Sequence, residues 1–451
     1  ESISLVPPTA LDAIEKYLSS GMVNGVGAHY AKALITAFGE HVFDVIENEP
    51  DRLAEVPGIG KKRRALIIAS WQDQKAVRDI MMFFQSHGIG PARAVRIFKV
   101  YGDQAITRVS HNPYALALDV QGIGFKIADS LAMSLGIAPD SLIRARAGVR
   151  HVLQELSTSG HCAAYEEDLI YQAEKLLEIP VSIIEQAIEL EVSVGRLINE
   201  EINRRSCFFI KYLHQAEVSV EEHLSRLLSG RESGSNFSVD QVVSQPNHNN
   251  KLTLSASQKT AVQCVLNSKV AILTGGPGVG KTTVVNTIIH LVRSQGARVL
   301  LCAPTGRAAK RLSESTGVEA KTIHRLLEFE PHAAGFKRGI ELPLDTDFVV
   351  VDEMSMVDIV LMRALLQAIP DHAGLLLVGD ADQLPSVGPG SVLADIIASQ
   401  RIVTVHLKEI FRQAAESEII INAHRINLGQ LPLRTVTKED LSDFYFLSAE
   451  T

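Results

Sequence analysis

Apolar positions along the chain fall into three regimes. Over the first 140 residues they recur at helical spacing, in short runs broken by one kind of turn. The turn is seen in "NGVGAHYAKAL" from Asn24, "PGIGKKRRALI" from Pro57, "HGIGPARAVRI" from His87 and "QGIGFKIADSL" from Gln121. Each G-x-G unit closes one apolar helical run and opens the next, so the pattern predicts a repeated helix, tight turn, helix. From 141 to 230 the pattern changes. "LIRARAGVRHVLQEL", "YEEDLIYQAEKL" and "VSIIEQAIELEV" read as amphipathic helices, "GRLINEE" and "CFFIKY" as short strands, and "AEVSVEEHLSRLL" as a further helix. Three helices followed by a β-hairpin fit a winged helix, and a plain helical spacer fits equally. The polar Ser-, Gly- and Asn-rich stretch over 231–251 reads as a linker. Beyond it, continuous apolar runs alternate with helical patterns: "VAILT", "RVLLCA", "FVVVDE", "GLLLVGD" and "IVTVHL". Unbroken apolar strands between helices predict a parallel sheet covered on both faces.

The first of those strands runs into Gly275, Gly276, Pro277, Gly278, Val279, Gly280, Lys281, Thr282 and Thr283, which satisfies G-x-x-x-x-G-K-[ST] between a strand and a helix. Glycines there let backbone N–H groups converge on phosphate oxygens. Lys281 reaches the outer phosphates, and the Thr282 hydroxyl suits Mg²⁺. The expected cofactors are therefore ATP and Mg²⁺. "FVVVDEMSMVD" ends its strand in Asp352 and Glu353. Asp352 is assigned to the metal and Glu353 to orienting and deprotonating the attacking water. "GDADQLP" offers Gln383 as a neutral amide able to report the γ-phosphate, and "HLKEIFRQ" offers Arg412 as a finger for its developing charge.

The formal net charge of −8 and pI of about 6.0 exclude a general polycation, so any nucleic-acid surface has to be local. The best local candidate is the turn Gly58, Ile59, Gly60 followed by Lys61, Lys62, Arg63 and Arg64. The stretch from Leu53 to Ile68 carries net +3. A turn feeding a helix N-terminus presents amides to a backbone phosphate without reading bases. For the other three turns, packing is at least as good an explanation. "APTGRAAKRL" supplies Pro304, Thr305 and Arg307 at a second helix start. Aromatic residues are only 5% of the chain, which leaves few stacking platforms and favours salt-sensitive phosphate contacts. Cys162, Cys207, Cys264 and Cys302 stand far apart with no CxxC or HExxH, so a zinc site has no support and reduced thiols of a cytoplasmic protein are expected. No run is apolar enough for a membrane span.

The set GGPGVGKTT, "CAPTGRAAKRL", "VVVDEMSMVD", "VGDADQLPSVGPG" and "LKEIFRQ", in this order, resembles motifs I, Ia, II, III and IV of superfamily 1 helicases, and its wording is closest to the RecD/TraA group. The resemblance is strong over 252–413. "LTLSASQKTAV" is similar to the helicase Q-motif, which implies that Gln258 reads the adenine edge. The N-terminal turns resemble the helix-hairpin-helix region of the long, stand-alone RecD-type helicases. The resemblance implies an ATP-driven monomer that translocates 5′ to 3′ on single-stranded DNA and unwinds duplex at single/double-strand junctions, in repair or recombination. Pro304, Thr305 and Arg307 would hold the single strand, and a β-hairpin near His332 to Ile340 would act as a strand-splitting pin or be a surface excursion.

The expected fold class is multidomain. Helix-hairpin-helix repeats occupy 1–140, a winged-helix-like α+β region 141–230, and the linker 231–251. A RecA-like α/β P-loop domain spans 252–400 with a small insertion at 326–346, and the start of a second such domain spans 401–451. Motifs V and VI of the family do not appear, and both ends read as cut. The expectation is a chain that binds nucleotide but hydrolyses it feebly. The rival classes are a nucleotide-switched DNA-binding module and a P-loop kinase.

Overall fold

The computed structural model describes residues 10–19, 23, 25–73, 75–230, 254–331, 335–409, 417–433 and 443–445. The expected linker 231–251 and Arg412 lie outside the described residues. Contacts divide the chain into two units, Glu1–His151 with Ile170–Leu190, and Val152–Leu169 with Glu191–Thr451.

The first unit is helical. Helices α1 (Ala10–Ser19) and α2 (Ala28–Phe38) flank the first G-x-G turn, and α3 (Val42–Asn48) leads to the second, which opens α4 (Lys61–Asp73). The third turn joins α5 (Lys75–Ser86) to α6 (Pro91–Tyr101). After α7 (Ala105–His111) and α8 (Ala115–Asp119), the fourth opens α9 (Phe125–Ser134). All four turns use one backbone solution. Their first glycines, Gly25, Gly58, Gly88 and Gly122, have φ of +92, +89, +80 and +83°, a region that side-chain-bearing residues avoid. The middle residues Val26, Ile59, Ile89 and Ile123 are buried and join one core with Leu34, Ile67, Ile97 and Leu131.

The turns also brace one another. A Cβ on Gly25 would lie 3.4 Å from Cγ of Arg63 on α4, and one on Gly58 would lie 3.0 Å from Tyr30 on α2. Arg63 donates to the Gly58 carbonyl at 2.7 Å and lies 4.0 Å over the Tyr30 ring. In the second pair, Arg96 donates to Gln121 O at 3.0 Å.

Helix α10 (Leu142–Thr158) spans the division between units. It is followed by β1 (Ala163–Tyr165), α11 (Glu166–Leu177), α12 (Val181–Ser193), β2 (Leu197–Ile202) and β3 (Arg205–Ile210). The strands form an antiparallel sheet in the order β1-β3-β2. Helix-strand-helix-helix-strand-strand with that order is winged-helix connectivity. β1 is absent from the sequence expectation, which runs Tyr165 into the following helix. Asn203 and Arg204, at φ +53 and +62°, close the β2–β3 hairpin with the two left-handed residues that match strand twist. Helix α13 (Lys211–Ser229) starts inside the segment expected as strand. Its apolar face, Leu213, Ala216, Val220, Leu224 and Leu227, belongs to the core of the nucleotide-binding domain.

That domain holds a six-stranded sheet in the order β11-β4-β10-β9-β5-β6, with every neighbouring pair parallel. In chain order the elements are α14 (Ala256–Leu266), β4 (Val270–Thr274), α15 (Lys281–Ser294), β5 (Val299–Ala303), α16 (Gly306–Thr316), β6 (Ala320–Thr322) and α17 (Ile323–Leu326). There follow β7 (Phe329–Glu330), β8 (Gly335–Phe336), β9 (Phe348–Val351), α18 (Ile359–Ala368), β10 (Gly374–Gly379), α19 (Val392–Ser399), β11 (Val403–His406) and α20 (Glu418–Asn427). The five strands expected from apolar runs are all present. The sixth, β6, is a half-buried Ala-Lys-Thr edge with no apolar run to mark it. Strands β4, β9 and β10 are buried throughout.

The inserted hairpin is antiparallel, pairing Phe329 with Phe336 and Glu330 with Gly335. It lies earlier than the expected 332–340, because His324, Phe329 and Phe336 cluster, with ring centroids 5.2 to 5.7 Å apart, and pin its base. No helix among the described residues is long and apolar enough to cross a membrane.

Candidate nucleotide and nucleic-acid sites

Strand β4 delivers the chain to the Gly275–Gly280 loop, and Lys281 is the first residue of α15, so the loop's amides and the helix N-terminus face the same space. Gly280 caps the helix in the left-handed region at φ +82°. Val279 is buried and anchors the loop to the core, Pro277 and Thr282 are exposed, and Thr283 is half-buried. Lys281 folds back on the loop, donating to the carbonyls of Gly275 and Gly276. Burial lowers its ammonium's proton affinity, and Asp380, Glu353 and Asp352 oppose that.

Those three carboxylates come from the carboxyl ends of β9 and β10. Burial pushes Asp352 upward, while the bond from Glu353 N to its Oδ1 at 2.9 Å and the charge of Lys281 pull it down. Glu353 is also raised, by burial and by Asp352, against Lys281 and Arg311. Its backbone is left-handed at φ +55°, a conformation unusual for a residue with a Cβ, which turns the chain sharply at the end of β9. Asp380 is buried and organises the next loop: Asp382 N donates to its Oδ1 at 3.1 Å and Gln383 N to its carbonyl at 3.3 Å. Gln383 itself is exposed.

Gln258 is 1% exposed. Its Oε1 accepts Ser255 N at 3.1 Å in a capping box that starts α14, and its Nε2 has no partner among the described residues. The same helix start is held from the far side of the sequence, where Glu409 accepts from Ser257 Oγ at 2.6 Å and Ser255 Oγ at 3.1 Å. Glu409 and Arg311 both lie in motif stretches, but sequence reasoning read Arg311 only as part of a basic helix start and gave Glu409 no role, whereas the charge of Arg311 acts on Glu353. Sequence reasoning also missed His424 on α20, packed on the loop at Gly276.

At the second helix start, Thr305 caps α16 by accepting Ala308 N at 3.2 Å, which leaves its hydroxyl proton to donate. Pro304 is half-buried and Arg307 exposed. At the helical turn in the other unit, Gly60 precedes α4, and Lys61 and Lys62 are exposed. Arg63 is committed to Tyr30 and Gly58, and Arg64 pairs with Asp51 at 3.0 Å. The Ile59 side chain is buried, so only its backbone can meet a ligand.

Family models match three stretches: a SAM-like helix-hairpin-helix tandem at residues 16–73, the helix-hairpin-helix domain of ATP-dependent RecD2 DNA helicase at 73–163, and an AAA domain at 258–389. The ATP-dependent RecD2 DNA helicase of Deinococcus radiodurans is 32% identical over 424 residues, 91% of this chain and 58% of that protein. The RecBCD enzyme subunit RecD of Mycolicibacterium smegmatis is 40% identical over 164 residues, 31% of this chain and 30% of that one. The solved structure of Pif1 helicase from Candida albicans aligns with a TM-score of 0.33 at 26% identity, over 40% of this chain and 45% of that one. The chain thus spans 58% of the length of its Deinococcus relative. With helix-hairpin-helix turns, a P-loop sheet and a match running through both, the chain is similar to the RecD2-type helicases.

Proposed function

We propose that this protein is an ATP-dependent DNA helicase that translocates 5′ to 3′ on single-stranded DNA and opens duplex at single/double-strand junctions, acting as a monomer in repair or recombination. One observation carries the motor reading: Lys281 stands within electrostatic reach of Asp352, Glu353 and Asp380, all at the carboxyl edge of one parallel sheet. A cation among buried acids at a strand-to-helix loop is the electrostatic pattern of a triphosphate site. The relatives' names supply the DNA.

In this reading Lys281 leaves the Gly275 and Gly276 carbonyls for phosphate oxygens as nucleotide enters. The loop amides and the Thr283 neighbourhood fix the phosphates, and Gln258 offers Nε2 to the base. Thr282 and Asp352 fit Mg²⁺, which takes one or two protein oxygens and keeps water and phosphate as its other ligands. Asp352 also fits electrostatically, since its burial favours a neighbouring cation. When bound, the metal neutralises charge on the phosphates. Glu353 orients and deprotonates water, and its raised proton affinity suits a base. Gln383 reads the outer phosphate from an exposed loop, and Arg412 supplies the finger. Thr305 and Arg307 hold a single strand, and Lys61 and Lys62 contact DNA phosphates.

The test is ATP hydrolysis by the protein at its full natural length, with and without single-stranded DNA, beside Lys281→Ala. Many-fold stimulation that Lys281→Ala abolishes is expected. Equal turnover with and without DNA points to a kinase. DNA binding that responds to nucleotide without sustained turnover points to a switch.

A further inference from the structure

A histidine far outside the recognised motifs rests on the phosphate loop. Helix α20 begins at Ser417, whose side chain accepts Ile420 N, and Asp443 accepts the Ser417 hydroxyl at 2.5 Å and Glu418 N at 2.8 Å. Asn422, 1% exposed, accepts Leu433 N at 2.6 Å and so pins the helix to the chain that follows it. The helix is thereby held so that the imidazole of His424 lies directly on Gly276. A Cβ on Gly276 would sit 2.8 Å from Cε1 and 3.4 Å from Nε2 of that ring, so the main chain and the ring meet with no room for a side chain between them. Gly276 is also where Lys281 donates, at 3.0 Å. His424 Nε2 is buried and has no hydrogen-bond partner among the described residues.

Buried ring nitrogens are paired in folded proteins, and an unpaired one beside a ligand cradle points to a ligand that pairs it. Packing alone does not need an imidazole here, because an apolar ring would fill the same space without leaving a polar atom dry. We propose that His424 is a nucleotide-contact residue whose Nε2–H donates to a phosphate oxygen of nucleotide held in the Gly275–Thr282 loop. Imidazole can carry its proton on either nitrogen, and a phosphate oxygen selects the tautomer with Nε2–H. Lys281 and His424 then grip the phosphates from two sides of Gly276. The consequence is that nucleotide occupancy is felt by α20, and through Asn422 by the chain beyond it. The proposal rests on the reading of the loop as a nucleotide site.

The experiment is titration of a fluorescent ATP analogue and of ADP, with Mg²⁺, into wild type, Lys281→Ala, His424→Phe, His424→Gln and His424→Ala, together with their melting temperatures. His424→Phe keeps the ring shape, and a tenfold or greater loss of affinity at unchanged melting temperature is expected, as for one hydrogen bond to a charged group. His424→Gln keeps a donor and should stay within a few-fold of wild type. Wild-type affinity in His424→Phe overturns the proposal, and so does tighter binding by His424→Ala, which would make the ring a plug. If His424→Phe melts early, His424→Gln decides: affinity that follows melting temperature and not the donor also overturns it. Failure of wild type to bind any better than Lys281→Ala overturns the loop's reading and this inference together, and is distinct from a defect confined to His424.

Discussion

Replacing Lys61 and Lys62 by alanine tests whether the second helical turn is a DNA contact, and the structure sets the size of the effect. Counted from sequence, four cations follow Gly60, and at ~0.7–0.9 per phosphate contact their loss would shallow the log K against log salt slope by ~3–4. Two of the four are already committed. Arg63 donates to Gly58 O and stacks on Tyr30, and Arg64 pairs with Asp51. Only Lys61 and Lys62 project into solvent beside the turn. The expected change for the double variant is therefore ~1.4 on single strands and ~1.8 on duplex. Between 50 and 200 mM salt, wild type should lose ~7- to 12-fold more affinity than the variant. Fluorescence anisotropy of a labelled oligonucleotide, titrated at four or five salt concentrations, reads this directly. Basal ATP hydrolysis should not move, since neither lysine belongs to the nucleotide site. Arg63→Ala is the contrasting control, expected to lower the melting temperature because it removes the brace between the first two turns. An unchanged slope in the double variant would show that the turn is packing alone. A further change of similar size on also removing Arg63 and Arg64 would show that those two leave their partners on DNA.

Glu353→Gln should bind nucleotide within about threefold of wild type yet hydrolyse it at least ~100-fold more slowly, since a positioned base contributes ~10²–10⁴; collapse of binding would make Glu353 a metal ligand instead. Arg226→Ala should cost about 2 kcal/mol in denaturant unfolding, because the guanidinium donates to Leu366 O and Ile369 O at 3.0 Å each, at the end of α18. Arg226 also pairs with the exposed carboxylate of Asp371, and Asp371→Asn, which removes only that acid, should cost less than about 1 kcal/mol; an equal loss would refute the carbonyl-capping account. Glu217→Gln should raise the melting temperature at pH 7.5. Burial raises the Glu217 carboxyl, and the Cys162 thiol only partly offsets this. With the folded value above the unfolded one, the group's favourable contribution is complete below the unfolded value and is lost as pH rises through the folded one. The gain from glutamine should therefore shrink as pH falls through the raised value toward 4, and a gain independent of pH would locate its cause outside this titration.

How much was legible depended on whether a feature is local in the chain. β4, β9 and β10 are buried on both faces, and burial on both faces leaves an unbroken apolar run that needs no alignment to read. The G-x-G turns were legible for the same reason, since φ near +90° at the first glycine and burial of the middle residue are both written within three positions. β1 and β6 were not. Each is a three-residue edge, and their sequences, Ala-Ala-Tyr and Ala-Lys-Thr, carry no period. α13 looked like an appendage of the preceding region because its amphipathic stripe says that something covers it but not what does. The site divides in the same way. Lys281 opens the helix that follows β4, and Asp352 and Glu353 follow β9 directly, so apolar runs that the sequence displays mark all three. Arg311 and Glu409 stand in motif stretches that do not announce these contacts, His424 stands outside them, and only the folded chain shows what the three touch.

Gln258 shows why even a legible residue can be read too narrowly. Ser-x-x-Gln is at once a capping box and the end of a Q-motif, and the two roles need different atoms of one amide. The structure gives Oε1 to Ser255 N and leaves Nε2 without a partner among the described residues, so the cap fixes the amide's orientation and thereby decides that it can act outward only as a donor. An acceptor such as a ring nitrogen fits that remaining atom and a second donor does not. If Gln258 meets the base as proposed, the choice of base is tied to the start of α14, and through Ser255 and Ser257 to Glu409. Disturbing the cap should alter base selectivity before it alters the fold.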